Sequence, residues 1–215
     1  MLKTLRFRTF PTPEAAREGA LAWLLEGLPW ARTGVLAGGE TPLPLYRALA
    51  ERGLGFRGVF LLSDERWLSP EDPGTNLFAV GRALGPLAQH LLPFPLSLSP
   101  EAAQEWMEGR LLALLPPDFA LLGIGEDGHT ASLFPGSPAL ASSRLVEVVH
   151  GPKPPALRLT LTPKAFRGVR RVLFLALGER KRQALKRLFH GEDLPPLRVA
   201  QEAQEALVYT DQEVE

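Results

Sequence analysis

The chain has 215 residues, enough for one large domain or two small ones, and its 45% apolar and 22% charged residues suit a packed core and exclude wholesale disorder. Lysine plus arginine balances aspartate plus glutamate at 24 each, so no global field favours nucleic acid or an anionic membrane, and any anion site must be local. The absence of cysteine excludes disulfides, thiolate nucleophiles and cysteine-based zinc sites. The N-terminus lacks an apolar h-region and no apolar run reaches membrane-spanning length, so a cytoplasmic location is expected.

In chain order, LKTLRFRTF (2–10) predicts a strand and EAAREGALAWLLEGL (14–28) an amphipathic helix after Pro11 and Pro13. TGVLA (33–37) is a strand, GGETP a turn and LPLYRALAER (43–52) a helix. RGVFLLS (57–63) is a strand that empties into DERW, followed by a proline-rich loop and a helix from about Asn76 to Leu87. Pro100 to Leu115 predicts a helix ended by Pro116-Pro117, and DFALLGIG (118–125) is the most continuous apolar strand. RLVEVVH (144–150) and RLTLT (158–162) alternate as strands, with GPKPPA as a rigid loop between them. RRVLFLALG (170–178) is a strand, ERKRQALKRLFHG (179–191) a helix and EALVYT (205–210) a last strand. Strand alternating with helix, with no linker or repeat, predicts a single α/β domain: a mostly parallel, Rossmann-like open sheet with helices on both faces.

Ligands of such sheets collect beyond the carboxyl ends of the strands, and here those ends carry GGETP, SDERW, GIGEDGHT and GERK. GIGEDGHTASLFPG (123–136) contains G-x-G-x-x-G after an apolar strand, as in a dinucleotide fingerprint. Pro135 follows Gly128 by seven residues, however, leaving room for about one helical turn where a crossover helix is required. Glu126 and Asp127 would also repel a diphosphate. The same residues suit the display of His129 above the sheet, with glycines allowing a sharp turn and Asp127 placed to orient the imidazole. A lone D-G-H reads more readily as a capping aspartate before a surface histidine. His90, His150 and His190 have no polar constellation and read as solvated or capping residues.

In VLAGGETP, Gly38 and Gly39 permit close backbone approach, while Thr41 suits an N-cap and Pro42 the first helical position. This segment is a phosphate cradle or simply a well-capped helix start. Arg180 and Lys181 occupy the N-terminal turn of a helix, where the macrodipole disfavours cations, so an anion is expected there, with Lys181 in the site and Arg182, Lys186 and Arg187 on a solvated face. In SDERW, Arg66 could fork onto a phosphate, and Asp64 could bind sugar hydroxyls or hold Arg66 in place. Arg158 could reach the same crevice.

Together these segments resemble the 6-phosphogluconolactonase family, in the superfamily that also holds glucosamine-6-phosphate deaminases. The matching stretches are AGGETP (the family pattern is near S-G-G-S-T-P), SDERW with the downstream Thr75-Asn76, GIGEDGHTASLFPG, RLTLT and GERK, in the family's order from residue 37 to 181. The resemblance implies one sugar-phosphate hydrolase domain over 1–215 that opens 6-phospho-D-glucono-1,5-lactone to 6-phospho-D-gluconate in the pentose phosphate pathway. It implies no metal, no organic cofactor and no nucleic-acid or membrane partner, with the enzyme a monomer or weak homo-oligomer acting on a small sugar phosphate. His129 would be the general base, assisted by Asp127, with Arg66, Lys181, Thr41 and the Gly38-Gly39 backbone on the phosphate. Ala37 and Glu40 depart from the usual small hydroxyl residues, and Glu40 must point away from a bound phosphate. The deaminases continue their D-G-H motif with a proton-relay carboxylate, where this chain has Phe134. A non-catalytic sugar-phosphate sensor on the same sheet would keep the cations without needing His129.

Overall fold

The computed structural model describes residues 5–52 and 55–215. Its centre is a seven-stranded sheet, parallel throughout, in the order β1-β10-β9-β6-β2-β3-β5. The strands are β1 (Arg6–Thr9), β2 (Thr33–Leu36), β3 (Val59–Leu62), β5 (Leu91–Leu92), β6 (Phe119–Gly123), β9 (Arg171–Ala176) and β10 (Glu205–Thr210). Helices α1 (Pro13–Gly27), α2 (Leu43–Glu51), α3 (Asn76–Leu84), α4 (Pro100–Leu111), α5 (Arg182–Phe189) and α6 (Pro195–Glu202) surround it. The inner strands read as unbroken apolar runs, VLFLA in β9 and FALL in β6, because covering a sheet on both faces leaves no polar side for alternation.

Strand order explains where a ligand can enter. From β2 the chain moves outward through β3 to β5, and then returns to lay β6 on the other side of β2 before continuing to β9 and β10. The connections leaving β2 and β6 therefore diverge, which opens a crevice at their carboxyl ends. Helix starts are well specified: Thr12, Thr75 and Ser99 each accept a backbone N–H from the first turn of α1, α3 and α4.

Several expectations need correction. Residues 64–66, expected as a strand end, form a strand of their own, β4 (Asp64–Arg66), in a separate antiparallel sheet with β7 (Val146–His150) and β8 (Leu157–Leu161), order β4-β8-β7. Ser63 joins the two sheets, donating its N–H to Leu36 and accepting from Leu161. The helix expected to reach Leu87 stops at Leu84, because Gly85 takes φ 51° and a 3-10 turn follows. The one expected to reach Leu115 ends at Leu111. Both β5 and α6 were unexpected. Thr41 is not an N-cap: α2 begins at Leu43, as expected, but Pro42 precedes it and no side chain caps it, and Leu43 donates to the Glu40 carbonyl. The start of the first expected strand, residues 2–4, lies outside the described residues.

Candidate active site

A cleft of about 680 Å³ opens at the carboxyl ends of β2 and β6. Gly38, Gly39 and Thr41 line it from the β2 side, Asp64 and Arg66 from β4, His129 from the β6 loop, Arg158 from β8 and Lys181 from the turn before α5. The far-separated segments singled out in the sequence thus converge on one crevice. Asp127 is not part of the lining but holds the residue that is. A larger depression of about 880 Å³ lies beside it, bounded by residues 134–139 and 147–152. Among the described residues no lysine or arginine lines that space, and Asp127 and Glu147 do, so it is unsuited to a phosphate.

The His129 loop is built around a close approach that only glycine permits. A Cβ on Gly125 would stand 2.1 Å from His129 Nδ1 and 2.8 Å from Asp127 Oδ1. With that space free, His129 Nδ1 lies 2.5 Å from Asp127 Oδ1, and the same oxygen accepts the His129 backbone N–H at 3.0 Å. A carboxylate acceptor fixes the tautomer with the proton on Nδ1, so Nε2 keeps its lone pair. Burial pushes the Asp127 carboxyl up, but the bonds and charge from His129 outweigh it and hold the group below the usual carboxylate range. Gly128, at φ 94°, turns the chain and bonds the Gly125 carbonyl. The Phe134 ring stands 4.9 Å from the imidazole, so His129 has an aromatic neighbour where a second carboxylate would make a relay.

The backbone of residues 38–41 lines the same cleft. No acceptor among the described residues takes the N–H of Gly38, Gly39, Glu40 or Thr41, and Gly39 lies at φ 85°. Successive amides freed in this way form an anion nest. Gly38 must be glycine, since a Cβ there would fall 2.1 Å from Asn76 Oδ1, and the buried Tyr46 hydroxyl pins the segment by donating to the Ala37 carbonyl at 2.7 Å. Glu40 lines the cleft as well, the departure noted in the sequence.

Arg66 and Arg158 are register partners across β4 and β8, so their side chains leave the same face of the small sheet. Burial pulls the Arg158 guanidinium down, Asp64 opposes this and Arg66 adds to it. Like charges placed opposite each other are unfavourable until an anion lies between them. Lys181, half-buried, is pulled down by burial and only partly restored by Glu126 and Asp127. Its companion Arg180 is 86% exposed in its side chain and pairs with Glu126 at 3.6 Å. Asp64 does not hold Arg66: its oxygens accept from Ser63 (2.7 Å) and Ser132 (2.6 Å), whereas Arg66 donates to the Gly74 carbonyl at 2.9 Å. Asp64 therefore ties β4 to the His129 loop.

Residues 31–209 match the family model described as glucosamine-6-phosphate isomerases/6-phosphogluconolactonase. The chain belongs to that family. It is 37% identical over 172 residues to the 6-phosphogluconolactonase of Xylella fastidiosa, covering 74% of this chain and 72% of that one. With the Synechocystis protein of the same name it shares 36% over 200 residues, covering 84% and 82%. The crystal structure of 6-phosphogluconolactonase from Thermotoga maritima superposes with a TM-score of 0.82 at 28% identity, covering 96% of this chain and 98% of that chain. A monomeric glucosamine-6-phosphate deaminase gives a TM-score of 0.83 at 22% identity, so the fold is shared by both activities in the family and does not separate them.

Two residues at or beside this cleft escaped the sequence reading. Glu65, 1% exposed, accepts three backbone N–H groups, each at 2.7 Å: Arg66 and Asn76 on Oε1, Leu77 on Oε2. It thereby caps α3 and fixes Arg66 against Asn76, whose side-chain amide donates to the Asp64 carbonyl. The signal available was a carboxylate in β4 ahead of the Thr75-Asn76 helix start, but only the fold brings the two together. Ala131 was the other, a cleft residue with φ 51°. Among the described residues no group of three or more His, Asp and Glu could hold a metal ion, and no helix is long and apolar enough to cross a membrane.

Proposed function

We propose that the chain is one sugar-phosphate hydrolase domain that opens 6-phospho-D-glucono-1,5-lactone to 6-phospho-D-gluconate, as the names of its relatives suggest, in the pentose phosphate pathway. The observation that carries this reading is the convergence on one cleft of a carboxylate-held histidine, three cations and the successive amides of residues 38–41. Arg66, Arg158, Lys181 and the amides of residues 38–41 bind the phosphate, with the Thr41 hydroxyl beside them. Asp64 keeps the two ends of the cleft in register and stands where it can accept a sugar hydroxyl.

With the phosphate anchored, the lactone carbonyl lies toward His129. Its Nε2 takes a proton from water as the water oxygen bonds to C1, and the imidazolium that forms is stabilised by Asp127. Collapse of the tetrahedral adduct breaks the bond from C1 to the ring oxygen, which recovers the proton from the imidazolium. The products are a neutral His129 and the open aldonic acid, which gives its proton to solvent to become the aldonate. Holding the ring by its phosphate makes attack effectively unimolecular, and general-base assistance adds roughly 10²–10⁴ in rate. Phe134 beside the imidazole favours this reading over amine release, because it supplies no second carboxylate to relay protons.

The test generates the lactone in situ and follows its decay with and without protein, against the spontaneous-opening blank, with glucosamine 6-phosphate as a control substrate. Accelerated lactone loss with no ammonia release is the expected result. Deamination of the control, or lactone decay at the blank rate, would overturn it.

A further inference from the structure

The turn that follows His129 leaves one amide unexplained. Thr130 anchors the turn by donating its hydroxyl to the Gly123 carbonyl at 2.7 Å, and exchanges backbone bonds with Leu133 in both directions, at 2.9 and 3.3 Å. Ser132 donates its N–H to Thr160 Oγ1 and its hydroxyl to Asp64. Only Ala131, between them, gives its N–H to no acceptor among the described residues, and Ala131 lines the cleft. It is also the one non-glycine residue among those described with a left-handed φ, 51°. A side chain in that conformation is disfavoured by roughly 1–2 kcal/mol, and such a residue persists only where its surroundings over-determine it. Here the bonds of Thr130 and Ser132 do so, and the result is a rigid amide left unsatisfied two residues from the base.

We propose that the Ala131 N–H is an oxyanion donor of this site, receiving the charge that builds on the C1 oxygen as water attacks. This rests on the lactonase reading. Among the cleft amides with no acceptor among the described residues, those of 38–41 and of Ala131 stand in different surroundings, which give them different tasks. Residues 38–41 are four successive amides after β2 and suit a phosphate that is charged before and after reaction. Ala131 stands in the His129 loop, where negative charge exists only in the transition state. A donor fixed by its own backbone strain needs no reorganisation when that charge appears, which is the condition for selective transition-state stabilisation.

Replacing Ala131 by lactic acid through nonsense suppression turns the amide into an ester, which deletes the N–H and keeps the methyl group. The expected outcome is a fall in kcat of about 10²–10³, the usual effect of losing one such donor, with KM and the thermal shift produced by inorganic phosphate unchanged. An unchanged kcat would overturn the proposal, and so would a rise in KM alone. Should the ester chain fail to fold, amide NMR of the unaltered protein decides. Inorganic phosphate should move the resonances of residues 38–41 only, whereas 6-phosphogluconate, with a carboxylate oxygen at C1, should also move the Ala131 proton downfield. An Ala131 resonance indifferent to 6-phosphogluconate would refute the assignment. Failure of the unaltered protein to consume lactone would instead refute the functional reading, and the two failures are separate measurements.

Discussion

At the His129 end of the cleft the working side chain is held before any substrate arrives: Asp127 grips the imidazole, Gly125 leaves it room, and Ser132 and Asp64 tie the loop to β4. The proposed phosphate site is the reverse. Arg66 opposes Arg158, Lys181 is partly stripped of water, and four successive amides find no acceptor among the described residues. A base must be aimed with one protonation state and one orientation, so its bonds have to be made by the protein. A site for a permanent dianion can be left under-bonded, because the ligand itself completes it. The two ends should therefore respond differently to mutation, the first in kcat and the second in KM and in ligand-induced stability.

The sharpest test of this division lies at the first end. His129→Ala should lower kcat by about 10²–10⁴ while phosphate binding survives. Gly125→Ala should come close to the same loss without touching a functional group, because its Cβ displaces the imidazole from Asp127. Wild-type turnover in either variant would sink the role of the dyad. At the second end, Arg158→Ala or Lys181→Ala should leave kcat largely intact and raise KM by roughly 10–100-fold, the value of a hydrogen bond to a charged group. Arg158→Ala should also shrink the thermal stabilisation by inorganic phosphate that mass action otherwise gives. An unchanged KM would remove that residue from the phosphate site. Glu40→Gln acts in the opposite direction, lowering KM by about threefold at low ionic strength if its carboxylate faces the nest, an effect that salt should erase. A KM indifferent to the substitution would place the Glu40 side chain away from the ligand.

The site was more legible in the sequence than the fold that builds it. Glycines and charges at strand ends are local signals with a physical reason, and His129, Arg66, Arg158 and Lys181 all reached the cleft named for them. The small antiparallel sheet was not legible as a sheet, because β4 is three polar residues with no apolar alternation and exists through its pairing with β8. Helix α6 opens on Pro195-Pro196, which interrupts a helical pattern yet suits the first turn of one. The assignment of Thr41 as a cap failed because Pro42 takes the position before α2 and no side chain caps that helix. Gly125 was recognised as a turn residue, but its contact with the imidazole depends on a fold-back of the loop that spacing does not encode. Glu65 joins β4 to α3, which are adjacent only in space.

Glu65 also provides a predicted effect, one confined to stability. Burial raises its carboxyl to about 7, against a usual 4.5, although three backbone N–H groups pull it down. Between those two values the folded chain holds a proton that the unfolded chain has released, so this group's contribution to stability is full below pH 4.5 and declines as pH climbs toward 7. The decline is at most about 3 kcal/mol by linkage. In a chain of this length that corresponds to several degrees of melting temperature. Asp127 works with the opposite sign, since its depressed value supports the fold above the ordinary carboxylate range and is lost only in stronger acid. The two windows do not overlap. Glu65→Gln should lower stability at pH 5 by about 1–3 kcal/mol, because one amide N–H must now face a backbone N–H, and should flatten the dependence between pH 5 and 7. Melting curves of both proteins across that range check it. An undiminished slope in the variant would show that the pH dependence originates elsewhere, and an unchanged melting temperature at pH 5 would mean that α3 does not depend on this cap.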